Sequence, residues 1–304
     1  MTLSNFKSLA KELLPIMKIL LFGHRGQVGS AVEKRFQPHS NILASTIDIT
    51  DYKTVNTMIR TFRPEVIINC AAYTHVDDAE LNKDKAFAVN AVAPHYMAHC
   101  AKNYNALLIH YSTDYVFDGT GQTPWTEDDT PSPINTYGST KYEGDQQIID
   151  SGCRYLILRT SWVYGDNGNN FITSILTQSQ KKNNLSVVCD QIGSPSSASF
   201  LADATYQMIQ SALTNDSLLG VYHIAPKGET SWADYARFII KKAGLSSSVH
   251  ITPILSKDYP QTAKRPLNSR LDTTKLQKAF SIIPPNWKQG VSEFLHHKDI
   301  INEL

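Results

Sequence analysis

The sequence predicts an α/β fold, a doubly wound parallel sheet with a smaller C-terminal lobe. From Met17 onward, short β-branched or aliphatic runs alternate with amphipathic helical patterns, the form that repeated β-α-β units take. A glycine-rich turn, Gly23 to Gly29, stands between the first such run and the first helical pattern. After Trp162 the alternation loosens, and 165–170, 193–199 and 253–267 are rich in turn-forming residues.

Taken in order, strands are expected over 18–22, 41–44, 66–69, 107–112 and 155–159, with later ones at 186–188 and 221–224. Helices are expected over 27–37, 52–62, 83–103 and 137–150. A chain of 304 residues can bury a large core. On this reading it divides into an N-terminal extension (1–16), a dinucleotide-binding unit (17–165) and a mainly substrate-binding lobe (166–304), from which stretches near 186–206 and 221–225 return to the first unit. In the extension, Phe6, Leu9, Leu13 and Leu14 recur at helical spacing before Pro15, yet the stretch is too polar for a secretory signal.

Composition excludes several function classes. Twenty-nine Lys and Arg against 28 Asp and Glu leave a formal charge of +1, with no basic block to track a phosphate backbone, so nucleic acid is not expected as a partner. The apolar runs are strand-length, far short of the roughly 20 residues that span a bilayer, so no membrane segment is expected. Cys70, Cys100, Cys153 and Cys189 include no CxxC pair and read as reduced thiols of a cytoplasmic protein. His95 and His99 stand four apart on an expected helix, but no carboxylate or cysteine supports a metal site there, and none is expected.

The turn after the first strand reads Gly23-His24-Arg25-Gly26-Gln27-Val28-Gly29. Glycines at this spacing let backbone N–H groups and a helix N-terminus approach a pyrophosphate, which points to a dinucleotide. The acid that would hold an adenosine ribose belongs at the end of the second strand; Asp48 lies just past it and faces adenine on this reading, whereas Arg25 can pair with a 2′-phosphate. NADPH is therefore expected to serve at least as well as NADH.

Tyr137 and Lys141, four residues apart, share one helical face. An ammonium beside a phenol favours the phenolate, so Lys141 is expected to draw Tyr137 from its usual pKa of ~10 towards neutrality and make it a general acid. Thr113, at the end of the fourth strand, offers a hydroxyl to a substrate carbonyl.

In these residues the chain resembles the extended short-chain dehydrogenases, which have a Rossmann-type fold, and within them the dTDP-4-dehydrorhamnose reductases. The segments carrying the likeness are 21–29, 69–77, Val89-Asn90, 112–119, 159–165 and 190–195, with a further one from Arg265-Pro266 to Leu271-Asp272. The resemblance implies reduction of a dTDP-linked 4-keto-6-deoxysugar by NADPH or NADH. It implies Thr113, Tyr137 and Lys141 as catalytic residues. Gly23, Arg25, Gly26, Gln27, Val28, Gly29, Asp48, Ile49, Ala71, Ala72, Tyr73 and Asn90 would surround the cofactor with Tyr137 and Lys141. Thr74, Val76, Asp114, Tyr115 and Trp162 would line the sugar site with Thr113, and Arg265 would reach the diphosphate. A homodimer, with Mg²⁺ at its interface, is also implied by the resemblance alone.

Two departures stand out, Ser196 where a threonine is common and the His24-Arg25 pair in the glycine turn. Nucleotide-sugar dehydratases place an Asp-Glu pair after the threonine; here Asp114 is followed by Tyr115, which favours simple reduction. The alternatives are a dinucleotide-binding regulatory subunit of methionine adenosyltransferase, which shares the fold, and a reductase of another 4-keto sugar nucleotide.

Overall fold

The computed structural model describes residues 17–297, so the expected extension over 1–16 lies outside the described residues. Its centre is a six-stranded, all-parallel sheet in the spatial order Gly220–His223, Arg154–Thr160, Leu107–Thr113, Val66–Asn69, Met17–Phe22, Ser40–Ser45. The first, third and fourth strands are buried on both faces, apart from Lys18, as a parallel sheet between helices requires. One face packs on the helices Gln27–Phe36 and Ala198–Ala212, through Val32, Phe36, Leu201 and Met208. The other packs on Tyr52–Phe62, Ala93–Tyr104 and Thr136–Ser151, through Val55, Ile59, Met97 and Ile148. This is the doubly wound class the alternation pattern called for.

A second core lies in the C-terminal part, where Ile172, Tyr235, Ile239, Trp287 and Val291 gather helices Phe171–Ser179, Trp232–Lys242 and Trp287–His297 around a small parallel pair of strands. The stretch expected near 186–206 divides between the two cores. Asn184–Val188 pairs with His250–Ile254, outside the central sheet, while the helix Ala198–Ala212 packs under it. Pro253 sits in that outer pair, which has only edge strands and so tolerates a residue with no N–H to give.

The helix expected over 83–103 is interrupted. Lys83–Phe87 passes into a π-helical stretch, Ala88–Val92, before Ala93–Tyr104 resumes regular winding. The wider turn carries the Asn90 carbonyl against Gly144 of the neighbouring helix, where a Cβ would lie 2.1 Å from that oxygen. No helix among the described residues is long and apolar enough to cross a membrane.

Candidate active site

The chain leaves the first strand towards the second on one side and returns to the third on the other, so a crevice opens at the carboxyl ends of the first and third strands. A cleft of ≈ 800 Å³ lies there, lined also by Trp162, just beyond the strand Arg154–Thr160, and by Trp232, at the start of the helix Trp232–Lys242.

At one end the cleft is shaped by main chain. Gly23 turns with φ +77° and lies so close to the third strand's exit that a Cβ would meet Ala71 N at 2.5 Å. At Gly29 a Cβ would lie 2.1 Å from the Gly23 carbonyl oxygen, so that glycine serves by letting the helix pack on its own turn. Gly26 caps the helix Gln27–Phe36 without a side-chain hydrogen bond, and no acid stands in the first turn. The helix N-terminus therefore offers bare amides and positive dipole to an anion, and these features fit a dinucleotide diphosphate. Arg25 is exposed on the rim. Asp48, also on the rim, accepts from the Thr50 amide at 2.9 Å and hydroxyl at 2.8 Å, which holds its carboxyl below the usual range.

At the other end the cleft is shaped by buried side chains. Asn135 caps the helix Thr136–Ser151 by accepting from Gly138 N at 2.7 Å, and Glu80 accepts from Thr136 N and Oγ1. A Cβ on Gly138 would meet the Tyr115 carbonyl oxygen at 2.1 Å, so only glycine lets this helix end seat Tyr137 beside the fourth strand. Thr113 donates to Asp114 Oδ1 at 3.1 Å and accepts from Tyr115 N at 3.2 Å, and it lies beside the Tyr137 phenol on the cleft wall. The threonine, the tyrosine and Lys141 thus meet on one wall of the cleft.

The electrostatics differ from the sequence expectation. Lys141 Nζ is turned to the Tyr111 carbonyl at 2.6 Å and to His110 Nε2 at 2.9 Å, and burial pushes the Tyr137 phenol up to about 12 instead of down towards neutrality. The phenol therefore carries its proton at neutral pH. Lys141 itself is drawn down to about 8 by burial, against the pull of Asp145. Asp145, wholly buried one turn along the helix, is paired with Arg159 at 3.2 Å and accepts from Ser112 at 2.9 Å. Burial likewise pushes the Asp114 carboxyl up to about 7, opposed by hydrogen bonding from Ser269 and Thr113.

Of the residues singled out from sequence, Gly23, Arg25, Gly26, Gln27, Val28, Asp48, Ile49, Ala71, Ala72, Thr74, Val76, Thr113, Asp114, Tyr115, Tyr137, Lys141 and Trp162 line the cleft. Gly29, Tyr73, Asn90 and Arg265 do not. Asn90 sits behind the wall, bracing the chain at Tyr73 by accepting from its N–H at 2.8 Å and donating to its carbonyl at 3.1 Å, and also donating to Thr140. The Tyr73 phenol turns away to Asp78. Arg265 is held by Asp77, which also accepts from the amides of Thr262 and Ala263.

Sequence reasoning missed Trp232, whose ring stacks on Trp162 with centroids 3.7 Å apart. It also missed His110, Asn69, Asp145 and Arg159 behind the catalytic wall. Trp162 adopts φ +49°, and Gly193 makes room for its ring, which a Cβ there would approach to 2.7 Å. Among the described residues no group of three or more His, Cys, Asp or Glu is arranged to hold a metal ion.

The family model described as "RmlD substrate binding domain" matches residues 17–300. The dTDP-4-dehydrorhamnose reductase of Salmonella typhimurium is 41% identical over 290 residues, which cover 92% of this chain and 97% of that protein. The crystal structure of a dTDP-4-dehydrorhamnose reductase from Clostridium acetobutylicum superposes with a TM-score of 0.88 at 35% identity, covering 93% of this chain and 100% of the other. The enzyme of the same name from Bacillus anthracis, solved in complex with NADP, gives a TM-score of 0.87 at 32% identity, covering 93% and 100%. With the glycine turn and the threonine, tyrosine and lysine on one cleft, these matches place the chain in the family of the RmlD substrate binding domain, to which it belongs.

Proposed function

We propose that this protein is an NAD(P)H-dependent oxidoreductase that reduces the 4-keto group of dTDP-4-dehydrorhamnose to give dTDP-L-rhamnose. The observation that carries this is the meeting of Thr113, Tyr137 and Lys141 on a cleft whose other end is a glycine turn and an uncapped helix N-terminus. The relatives named as dTDP-4-dehydrorhamnose reductases, one of them solved with NADP, supply the sugar and the cofactor.

A bound nicotinamide would supply the hydride for the keto carbon. Tyr137, protonated at neutral pH, donates its phenolic hydrogen to the oxygen as negative charge develops there. Thr113 would orient that oxygen with its one hydroxyl hydrogen, which must turn from Asp114 Oδ1 as substrate binds, while the Tyr115 amide holds the Thr113 oxygen in place. Lys141, on the same wall, would hold the nicotinamide ribose, and the amides of the glycine turn would take the diphosphate. Asn90 and Gly29 act by packing, and Arg265 with Asp77 ties the segment 262–265 to the start of the helix Val76–Leu81. A division into a cofactor unit and a sugar lobe, a homodimer and a cytoplasmic setting belong to the same proposal.

Purified protein incubated with NADPH and dTDP-4-dehydrorhamnose should consume nicotinamide absorbance and yield one product, identified by NMR as dTDP-L-rhamnose. Absence of turnover, with an adenosyltransferase recovered as a bound partner, would instead support a regulatory subunit. Turnover only with a different 4-keto sugar nucleotide would replace the substrate and keep the chemistry.

A further inference from the structure

We propose that Asn135 is a positioning residue that ties the helix end carrying Tyr137 to the segment 262–269, so that the seating of this C-terminal strap sets where the general acid stands. Asn135 immediately precedes the helix Thr136–Ser151 and is buried. Its Oδ1 accepts from Gly138 N at 2.7 Å, and its Nδ2 donates to the Lys264 carbonyl at 2.8 Å. The amide has no second orientation, because turning it over would set NH₂ against an N–H and oxygen against oxygen. Capping alone does not call for asparagine, since aspartate and serine cap about as well. What the amide adds is a donor at its far end, and that donor is spent on the strap.

The strap has little else to hold it there. From Pro260 to Pro266 it forms no backbone-to-backbone hydrogen bond among the described residues, and Thr262 and Lys264 are exposed. Its other anchor is Asp77, which accepts from Thr262 N at 3.0 Å, from Ala263 N at 2.8 Å and from the Arg265 guanidinium. Asp77 belongs to the helix Val76–Leu81, and Glu80 of the same helix accepts from Thr136 N at 2.7 Å and from Thr136 Oγ1 at 2.8 Å. Strap, short helix and catalytic helix therefore form a triangle whose three sides are side-chain hydrogen bonds, with Asn135 on the side that joins strap to acid.

Farther on, the strap also meets the support of Trp162. Ile192 N donates to the Leu267 carbonyl at 2.8 Å, Ser269 N donates to the Ile192 carbonyl at 2.8 Å, and the next residue, Gly193, gives the Trp162 ring its room. A Cβ on Gly119 would lie 2.4 Å from Pro266, so the strap is seated closely on the chain that follows Tyr115 as well. One segment thus links the tryptophan that lines the cleft to the helix end that presents Tyr137. A shift of about 1 Å between an acid and its substrate is enough to cost about 10²-fold in rate, so the seat of this strap matters to the chemistry.

The consequence for turnover rests on the proposed function; the tie itself does not. Asn135→Ser and Asn135→Asp keep an acceptor for Gly138 N and lose the donor to Lys264, while Asp77→Ala frees the strap at its other anchor. In protein without cofactor or sugar, hydrogen exchange at the amides of 262–265 should quicken about tenfold or more in all three variants. The ¹³C ring resonances of Tyr137, assigned against Tyr137→Phe, should shift in each, whereas exchange over 136–140 should stay as in wild type in Asn135→Ser. With NADPH and dTDP-4-dehydrorhamnose, kcat should fall about tenfold in Asn135→Ser and further in Asn135→Asp, whose carboxylate faces the Lys264 carbonyl, with Kd for NADPH unchanged. A role in capping alone predicts nearly equal rates for asparagine, serine and aspartate.

Wild-type exchange at 262–265 or an unmoved Tyr137 ring in Asn135→Ser would overturn the proposal, as would full kcat in both Asn135 variants of an active reductase. Should Asn135→Asp fail to fold, Asn135→Ser decides. Faster exchange and a shifted ring in a chain that reduces no keto sugar would sink the proposed function and leave the tie standing.

Discussion

Where the glycine turn meets the third strand the cleft is made of main chain, whereas under Tyr137 it is made of buried polar and charged side chains held by one another. On the proposed function the first end would bind by backbone amides and a helix dipole, whose character does not change with pH. The second depends on Asp114, Lys141, Asp145 and His110, all buried, whose charge states are set by desolvation and by neighbours. On that reading, recognition of a dinucleotide and control of a proton fall to different materials, and each end should fail in its own way.

The largest effect is expected at Arg159. Removing its guanidinium in Arg159→Met leaves the Asp145 carboxylate buried with Ser112 as its remaining hydrogen-bond partner, and breaking a buried pair in this way costs about 3–5 kcal/mol. Urea unfolding at pH 7 should read that loss, and the loss should shrink at low pH as Asp145 takes up a proton. An undiminished stability would mean the catalytic end is not held by its charges.

Asp114 gives a pH signature of nearly the same size. Its carboxyl stands at about 7 in the folded chain against 3.8 ordinarily, so the native state binds the proton more tightly. Stability from this group is full below its ordinary pKa and is lost as pH rises through about 7, by on the order of 4 kcal/mol. Asp114→Asn should flatten the fall in stability across that window, which unfolding curves at several pH values would show.

At the main-chain end the effects are smaller and sterically caused. Gly29→Ala places a Cβ 2.1 Å from the Gly23 carbonyl oxygen, and relieving that contact should cost about 1–3 kcal/mol of stability and weaken NADPH binding with no change in the pH profile. Arg25→Ala, on the exposed rim, should raise KM for NADPH roughly tenfold while leaving NADH alone, since only the 2′-phosphate loses a charge-assisted bond. Steady-state kinetics with both cofactors check it, and equal losses would mean that Arg25 does not read the 2′-phosphate.

The same division decided what could be read in advance. The glycine turn, the strand beside it and the Tyr137–Lys141 spacing are local patterns, each legible within a few residues. The central sheet followed from alternation because its inner strands, such as Met17–Phe22, Val66–Asn69 and Leu107–Thr113, contain short apolar runs. The helix Val76–Leu81 and the strand His250–Ile254 were not anticipated, one being too short for a periodic signal and the other holding Pro253. The support behind the catalytic wall has no local signature. Asn69 and His110 lie 41 residues apart, and Trp232, which stacks on Trp162, is far from it in the sequence. Burial also reversed the expected direction for Tyr137, since spacing shows which groups are near but not how dry their surroundings are.

Tyr137→Phe, assayed both for turnover of dTDP-4-dehydrorhamnose and for NADPH affinity, tests most directly whether the proton and the dinucleotide are handled at separate ends. If they are, kcat should fall by about 10²-fold or more while Kd for NADPH stays within about threefold of wild type. Wild-type turnover in that variant, or a loss of NADPH affinity matching the loss of rate, would contradict it.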